Sequence, residues 1–241
     1  MLEYVISETQ KLKRTFSKKL ILIIPILSLI LPAVLGAGYV FQNGAYNWWY
    51  TMFLPAEISI ICAILIEKDS KIGYRQLFTL PFKKEKIWMG KILTCSLLYL
   101  ISCIVFLIGV TIGGHIFKET ITVSRSFVAT IVIFVTFLWQ VPVCMILSSK
   151  FGSIVTILIS IIFNAFGVIF AIKDYWFLYP SSISARLMCP ILNILPNGLQ
   201  VEAGTIFEKS NVIAPGIIMS ILYCIIFTLI TIRLFKKQEG K

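Results

Sequence analysis

EKDSKIGYRQLFTLPFKKEKIWMGK, residues 67–91, is the one long, strongly charged interruption in an otherwise apolar chain. It carries seven Lys/Arg and three acids, so it does not lie in hydrocarbon. It is too long for a simple hairpin turn. Two apolar runs precede it and four follow. Within it, Tyr74, Leu77 and Phe78 fall on one helical face, and Lys71 and Arg75 stack at i,i+4 on another. Ser70 is placed to cap a start, and Pro81 bars continuation past Leu80. Gly73 weakens the helix between them. The stretch predicts about ten residues of marginal amphipathic helix that need a partner to hold them. That partner is either a soluble protein that pushes on the helix or the lipid headgroups beside it.

The composition puts the rest in a membrane. Of 241 residues, 58% are hydrophobic and only 14% charged, where a soluble domain carries roughly 25% charged. The net charge of +11 is confined to short segments between apolar runs. Its expected partners are therefore anionic headgroups, not nucleic acid. About twenty amphipathic residues precede a full-length span, which is not the layout of a cleavable signal peptide. The cysteines show neither a disulfide framework nor metal spacing.

Taken in order, residues 1–19 place Leu2, Val5, Ile6, Thr9, Leu12 and Phe16 at three- and four-residue spacing among five Lys/Arg. This predicts a basic amphipathic helix along a membrane surface. Residues 20–56 hold no charge and exceed one span of about 20 residues. The polar string QNGAYN (42–47) is expected to split them into a hairpin. The spans are then about 20–41, with Pro25 and Pro32 as kinks, and 48–66, with Trp48, Trp49 and Tyr50 as an interfacial anchor. Four more follow at about 92–114, 127–147, 154–172 and 215–235. Gly109 and Gly113 form a small-residue face on the third.

The predicted class is an all-α integral membrane protein, one transmembrane domain over residues 1–241 with six spans. Six spans put both termini on one side. That side holds seventeen Lys/Arg and the other five, which predicts cytoplasmic termini and a cytoplasmic 67–91 loop in the plasma membrane. The outer loop 173–214 contains an aromatic, apolar run broken by Pro180, Pro190, Pro196 and Gly198. It reads as short helices dipping back into the outer leaflet, or as a loop lying flat at the headgroups.

Little in the chain carries chemistry. There is no P-loop, no HExxH and one histidine, so no catalytic or metal site is expected. Glu57 is the only charged residue near the middle of a predicted span, Arg233 lying at the very end of the sixth, and so it is a candidate for a transport path. Asn164 is the one strongly polar side chain of the fifth span and a second candidate. Each has a plainer role open to it, Glu57 near an interface and Asn164 as interhelical glue.

The whole pattern resembles the membrane subunits of type-two ABC exporters. In that fold an amphipathic N-terminal helix precedes six spans, a coupling helix between spans two and three meets the ATPase, and short re-entrant helices lie between spans five and six. Within the group it looks like the permeases of lantibiotic-protection transporters, related to bacitracin-resistance permeases. The carrying residues are SETQKLKRTFSKK (7–19), the loop from Glu67 through Leu77 and Pro81 to Lys91, and ILPNG (194–198). The resemblance implies that Tyr74, Arg75, Leu77, Phe78 and Pro81 meet an ATPase, and that Pro190, Pro196, Asn197 and Gly198 belong to the outer re-entrant segment. It implies no cofactor in this chain, with ATP and Mg bound by a separate ABC ATPase. A second, related permease completes a homo- or heterodimer. The substrate it implies is a lantibiotic-type peptide; bacitracin, a lipid-like compound, or a non-transporting scaffold or peptide sensor are the alternatives. An intramembrane enzyme would need a second ionisable group at depth beside Glu57.

Overall fold

The computed structural model describes residues 1–12, 16–36, 40–70 and 83–237. The helix expected after Ser70, with Tyr74, Arg75, Leu77, Phe78 and Pro81, lies outside them. A short helix α1 (Leu2–Lys11) leads to α2 (Ser17–Gly36). Helix α3 (Phe41–Trp48) runs through a π-helical turn (Trp49–Phe53) into α4 (Leu54–Ser70). Then come α5 (Lys84–Ile116), α6 (Val123–Phe137), α7 (Gln140–Phe151) and α8 (Ser153–Phe170). Helix α9 (Pro180–Leu192) and helix α10 (Ile213–Lys236) complete the bundle.

Five helical stretches are long and apolar enough to cross a membrane, and six if the bent pair α6–α7 counts as one. They leave rows of large apolar side chains uncovered, such as Leu22 and Ile26 on α2, Leu158 and Ile162 on α8, and Ile225 and Leu229 on α10. Only a hydrocarbon solvent accommodates that much exposed apolar surface. The protein is a multi-pass membrane protein.

Several boundaries differ from the sequence reading, each for a local reason. QNGAYN is not a break. Residues 41–69 form one helical stretch that starts at Phe41. Gln42 escapes the cost of a buried polar group because its amide is fully used. Its Oε1 accepts from the backbone N of Thr120 (2.7 Å) and Ile121 (2.8 Å), and its Nε2 donates to the Ile121 carbonyl (3.3 Å). Trp49 and Tyr50 are core residues, with the Trp49 ring stacked on Phe106 at 4.6 Å. Of the expected aromatic anchor only Trp48 is exposed. The π-turn sits just ahead of Pro55, whose ring displaces the normal helical bonding of the preceding turn.

The fourth span bends by 41° between α6 and α7. Pro142 explains the place. It has no N–H for the carbonyl of Leu138, four residues back, and that carbonyl instead accepts from Val141 N at 3.3 Å, one residue tighter. The gap left between the fourth and fifth expected spans, 148–153, shrinks to Gly152 alone, at φ 83°, between α7 and α8. The small-residue face of α5 is used: a Cβ on Gly109 would strike Leu29 of α2, and one on Gly113 would strike Phe41.

Candidate functional site

The two ends of the bundle are chemically distinct. At one end lie α1, the C-terminus of α4, the N-terminus of α5 and the C-terminus of α10. Trp88 donates from Nε1 to Thr231 Oγ1 (3.1 Å) and stacks on Phe235, and Lys236 pairs with Glu85. The termini of the described chain thus share one end with the two stems that bracket residues 71–82.

A buried ion cluster holds those stems. Lys91, on α5, is 0% exposed. Its ammonium donates to Glu8 Oε2 on α1 (2.7 Å) and to Asp69 Oδ2 on α4. Lys11 reaches the other oxygens of the same carboxylates, Glu8 Oε1 at 2.8 Å and Asp69 Oδ1 at 3.2 Å. Burial works against the charge of Lys11, but Glu8 and then Asp69 outweigh it and raise its pKa above the ordinary value. Lys68 adds a bond to the Lys11 carbonyl. Two acids and two bases therefore neutralise one another where three helices meet. Gly90 lets α1 approach, since a Cβ there would lie 2.7 Å from Tyr4 Cβ. The side of α1 turned inward is the Glu8 side, while Leu2 and Ile6 of the expected apolar face remain exposed.

Glu57 and Asn164 are both buried but are not brought together. Glu57 Oε2 accepts from Ser102 on α5 at 2.8 Å, and its Oε1 has no partner among the described residues. Asn164 belongs to a polar group on the opposite packing of α4. Gln140 donates to the Pro55 carbonyl (2.9 Å) and to Ser160 Oγ (2.7 Å). Asn164 Nδ2 donates to the Ser160 carbonyl (2.8 Å) and, at 3.4 Å, to Gln140 Oε1. Gln140 and Ser160 went unnoticed in the sequence because a Gln or Ser in an apolar run gives no sign of which helix it faces.

At the other end, the middle of the sequence 173–214 is packed protein, while the stretches on either side of it are largely exposed. Helix α9 is too short to cross a membrane and is buried nearly throughout against α6, α8 and α10. Pro180 starts it, and Asn193, in the left-handed region at φ 62°, ends it. Pro190 lies near its end. The ILPNG turn follows, with an isolated bridge between Ile194 and Gln200. Asn47 donates to the Pro196 carbonyl at 2.9 Å, Asn197 Oδ1 accepts from Leu199 N at 3.1 Å, and Gly198 takes φ 87° directly over Asn47. Two polar strings that read as separate loops, QNGAYN and ILPNG, thus dock on one another.

No group of three or more metal-ligating side chains occurs among the described residues. A helical bundle with lipid-facing sides, a charged end and isolated polar groups at depth is the architecture of a multi-pass membrane protein. The family model for the ABC-2 family transporter proteins matches residues 4–167, about two thirds of the chain, and the protein belongs to that family. The match ends before α9 and α10. No curated protein and no solved structure matches. Membrane subunits of this family are normally non-catalytic permeases, and membership implies an ABC ATPase as partner.

Proposed function

We propose that the chain is the permease subunit of an ATP-driven exporter that expels lantibiotic-type antimicrobial peptides from the membrane and so protects the cell. The observation that carries the coupling part is the ion cluster of Glu8, Lys11, Asp69 and Lys91. It ties α1 to the two helices whose ends bracket residues 71–82. A force applied at Tyr74, Arg75, Leu77, Phe78 or Pro81 therefore reaches three helices at once. A separate ATPase binds ATP and Mg and supplies that force, and a second, related permease completes the pathway. The asymmetry of seventeen basic residues to five supports a cytoplasmic position for the charged end and both termini. On this reading α9 and the turn with Pro190, Pro196, Asn197 and Gly198 re-enter from outside, and Glu57 and Asn164 are two separate polar points along the moving helices. The peptide class rests on the resemblance of residues 7–19, 67–91 and 194–198.

Replacing Leu77 and Phe78 with Glu is expected to abolish co-purification of the ATPase while membrane insertion persists. Unchanged co-purification would remove the coupling role. Deleting the gene is expected to raise susceptibility to at least one member of a panel of lantibiotics and bacitracin; an unchanged panel would remove the protective role.

A further inference from the structure

At the end of the bundle opposite the ion cluster, a cavity of about 330 Å³ opens between the start of α3, the link from α5 to α6, the first turn of α6 and the ILPNG turn. Its size falls inside the usual range of ligand pockets, roughly 300–1,000 Å³. Its polar lining residues are Asn43, Thr120, Arg125, Asn193 and Gln200. They lie far apart in the chain, so the wall exists only in the folded bundle. Arg125 is the one charged residue among those that line it.

Arg125 is exposed and pairs with no acid among the described residues; its hydrogen bond to Thr122 uses the backbone N and leaves the guanidinium free. Glu119, the nearest acid in the sequence, faces His115 at 3.5 Å. Thr120 Oγ1 is committed to Gln42 Oε1 at 3.1 Å, and Asn43 Oδ1 lies 3.5 Å from the same hydroxyl. The Nδ2 hydrogens of Asn43 and the side-chain amides of Asn193 and Gln200 have no partner among the described residues. The wall therefore offers mostly donors, with one fixed positive charge among them. The start of α6 adds the positive end of its helix dipole. A cationic ligand is repelled there, and an uncharged one leaves the guanidinium without a counterion. An oxyanion accepts from the guanidinium fork through two oxygens and from the amides beside it.

The same helix indicates what the anion is attached to. Val128 follows Arg125 one turn further along one side of α6, and Ile131 lies a turn beyond; they are 44% and 48% exposed. Leu199, on the cavity wall, is exposed as well. The surface leading away from Arg125 is thus suited to hydrocarbon, which a free anion would leave uncovered. We infer that this cavity binds the phosphate of a membrane phospholipid. Arg125 takes the phosphate oxygens, the amides of Asn43 and Gln200 complete the headgroup site, and an acyl chain lies along Val128 and Ile131. One lipid so held ties the first turn of α6 to the ILPNG turn. The inference stands whether or not the exported compound is a peptide.

The test uses the purified full chain in an uncharged maltoside detergent and a phosphatidylglycerol carrying a diazirine on one acyl chain, with labelled residues mapped by mass spectrometry. Labelling is expected on α6 around Val128 and Ile131. Unlabelled phosphatidylglycerol is expected to compete roughly tenfold better than the diacylglycerol with the same chains, which lacks the phosphate. Arg125→Gln brings it down to the level of diacylglycerol, and Arg125→Lys, which keeps the charge but not the fork, recovers part of the difference. Lys173→Gln, at another exposed cation of this end, leaves the ratio unchanged. A loss there as large as that of Arg125→Gln would mean general surface charge and overturn the proposal. Equal competition by phosphatidylglycerol and diacylglycerol overturns it, as does labelling elsewhere. Displacement of the probe by inorganic phosphate as readily as by phosphatidylglycerol would mean a free-anion site and overturn the lipid assignment. A linear apolar peptide with a free carboxylate that competes better than the phospholipid would assign the cavity to a peptide terminus and overturn it too. The lipid-to-diacylglycerol ratio is read on the unaltered protein, so the test survives a variant that fails to fold.

Discussion

Lys91 takes its ammonium group out of water altogether, and only the carboxylates of Glu8 and Asp69 make that tolerable. Lys91→Met removes the shared cation and leaves two buried acids with Lys11 alone. The expected cost is about 3–5 kcal/mol, the range for breaking a buried pair from one side. A double change, with Asp69→Asn added, is expected to recover most of it, because Glu8 and Lys11 then remain as a neutral pair at 2.8 Å. Thermal unfolding of the purified chain in detergent measures both; a single variant as stable as the parent would mean the cluster is solvated. At this scale the sequence was half legible. Asp69 and Lys91 stand in the charged stretch that sets the topology. Glu8, which completes the cluster, lies 83 residues before Lys91, and on a surface helix it reads as a solvated acid. Its burial is decided by how α1 docks, which local spacing does not encode.

Among the elements, the helix 41–48 shows why composition misleads. A string with Gln, two Asn and a Gly has the makings of a turn, yet it continues into α4 because its polar side chains face backbone groups of other segments. Gln42 is the cap for the link between α5 and α6. Gln42→Leu is expected to leave the Thr120 and Ile121 N–H groups without an acceptor, at a cost of about 1–3 kcal/mol. Hydrogen exchange at those two amides should accelerate well before global unfolding. Unchanged exchange there would show that water replaces the side chain. The bend between α6 and α7 was partly readable, since Pro142 announces a disturbed turn. That the chain yields at Leu138 follows from the proline's action four residues back. The long segment after α8 was legible as interrupted by prolines. The burial of 180–192 was not, because that stretch mixes apolar residues with three serines and Arg186, a pattern that does not say what covers it.

For the whole molecule, the six apolar runs and the gathering of termini and charged stems at one end were readable from hydropathy and charge count, signals that depend on solvent and not on packing. The proposed orientation makes a direct forecast. A cysteine placed at Lys237 is expected to resist a membrane-impermeant maleimide in intact cells, and one placed at Lys209 to react. The opposite pattern would invert the proposed orientation of the bundle. The ion cluster also bears on the order in which the protein is made. Helix α1 is made before either of the helices it pairs with, and its place is defined by a lysine 83 residues later. Until Lys91 is made, Lys11 is the one cation of the cluster available to Glu8. Once Lys91 emerges, 22 residues behind Asp69, the cluster has all its members, so α1 is not seated before α4 and the start of α5 are made.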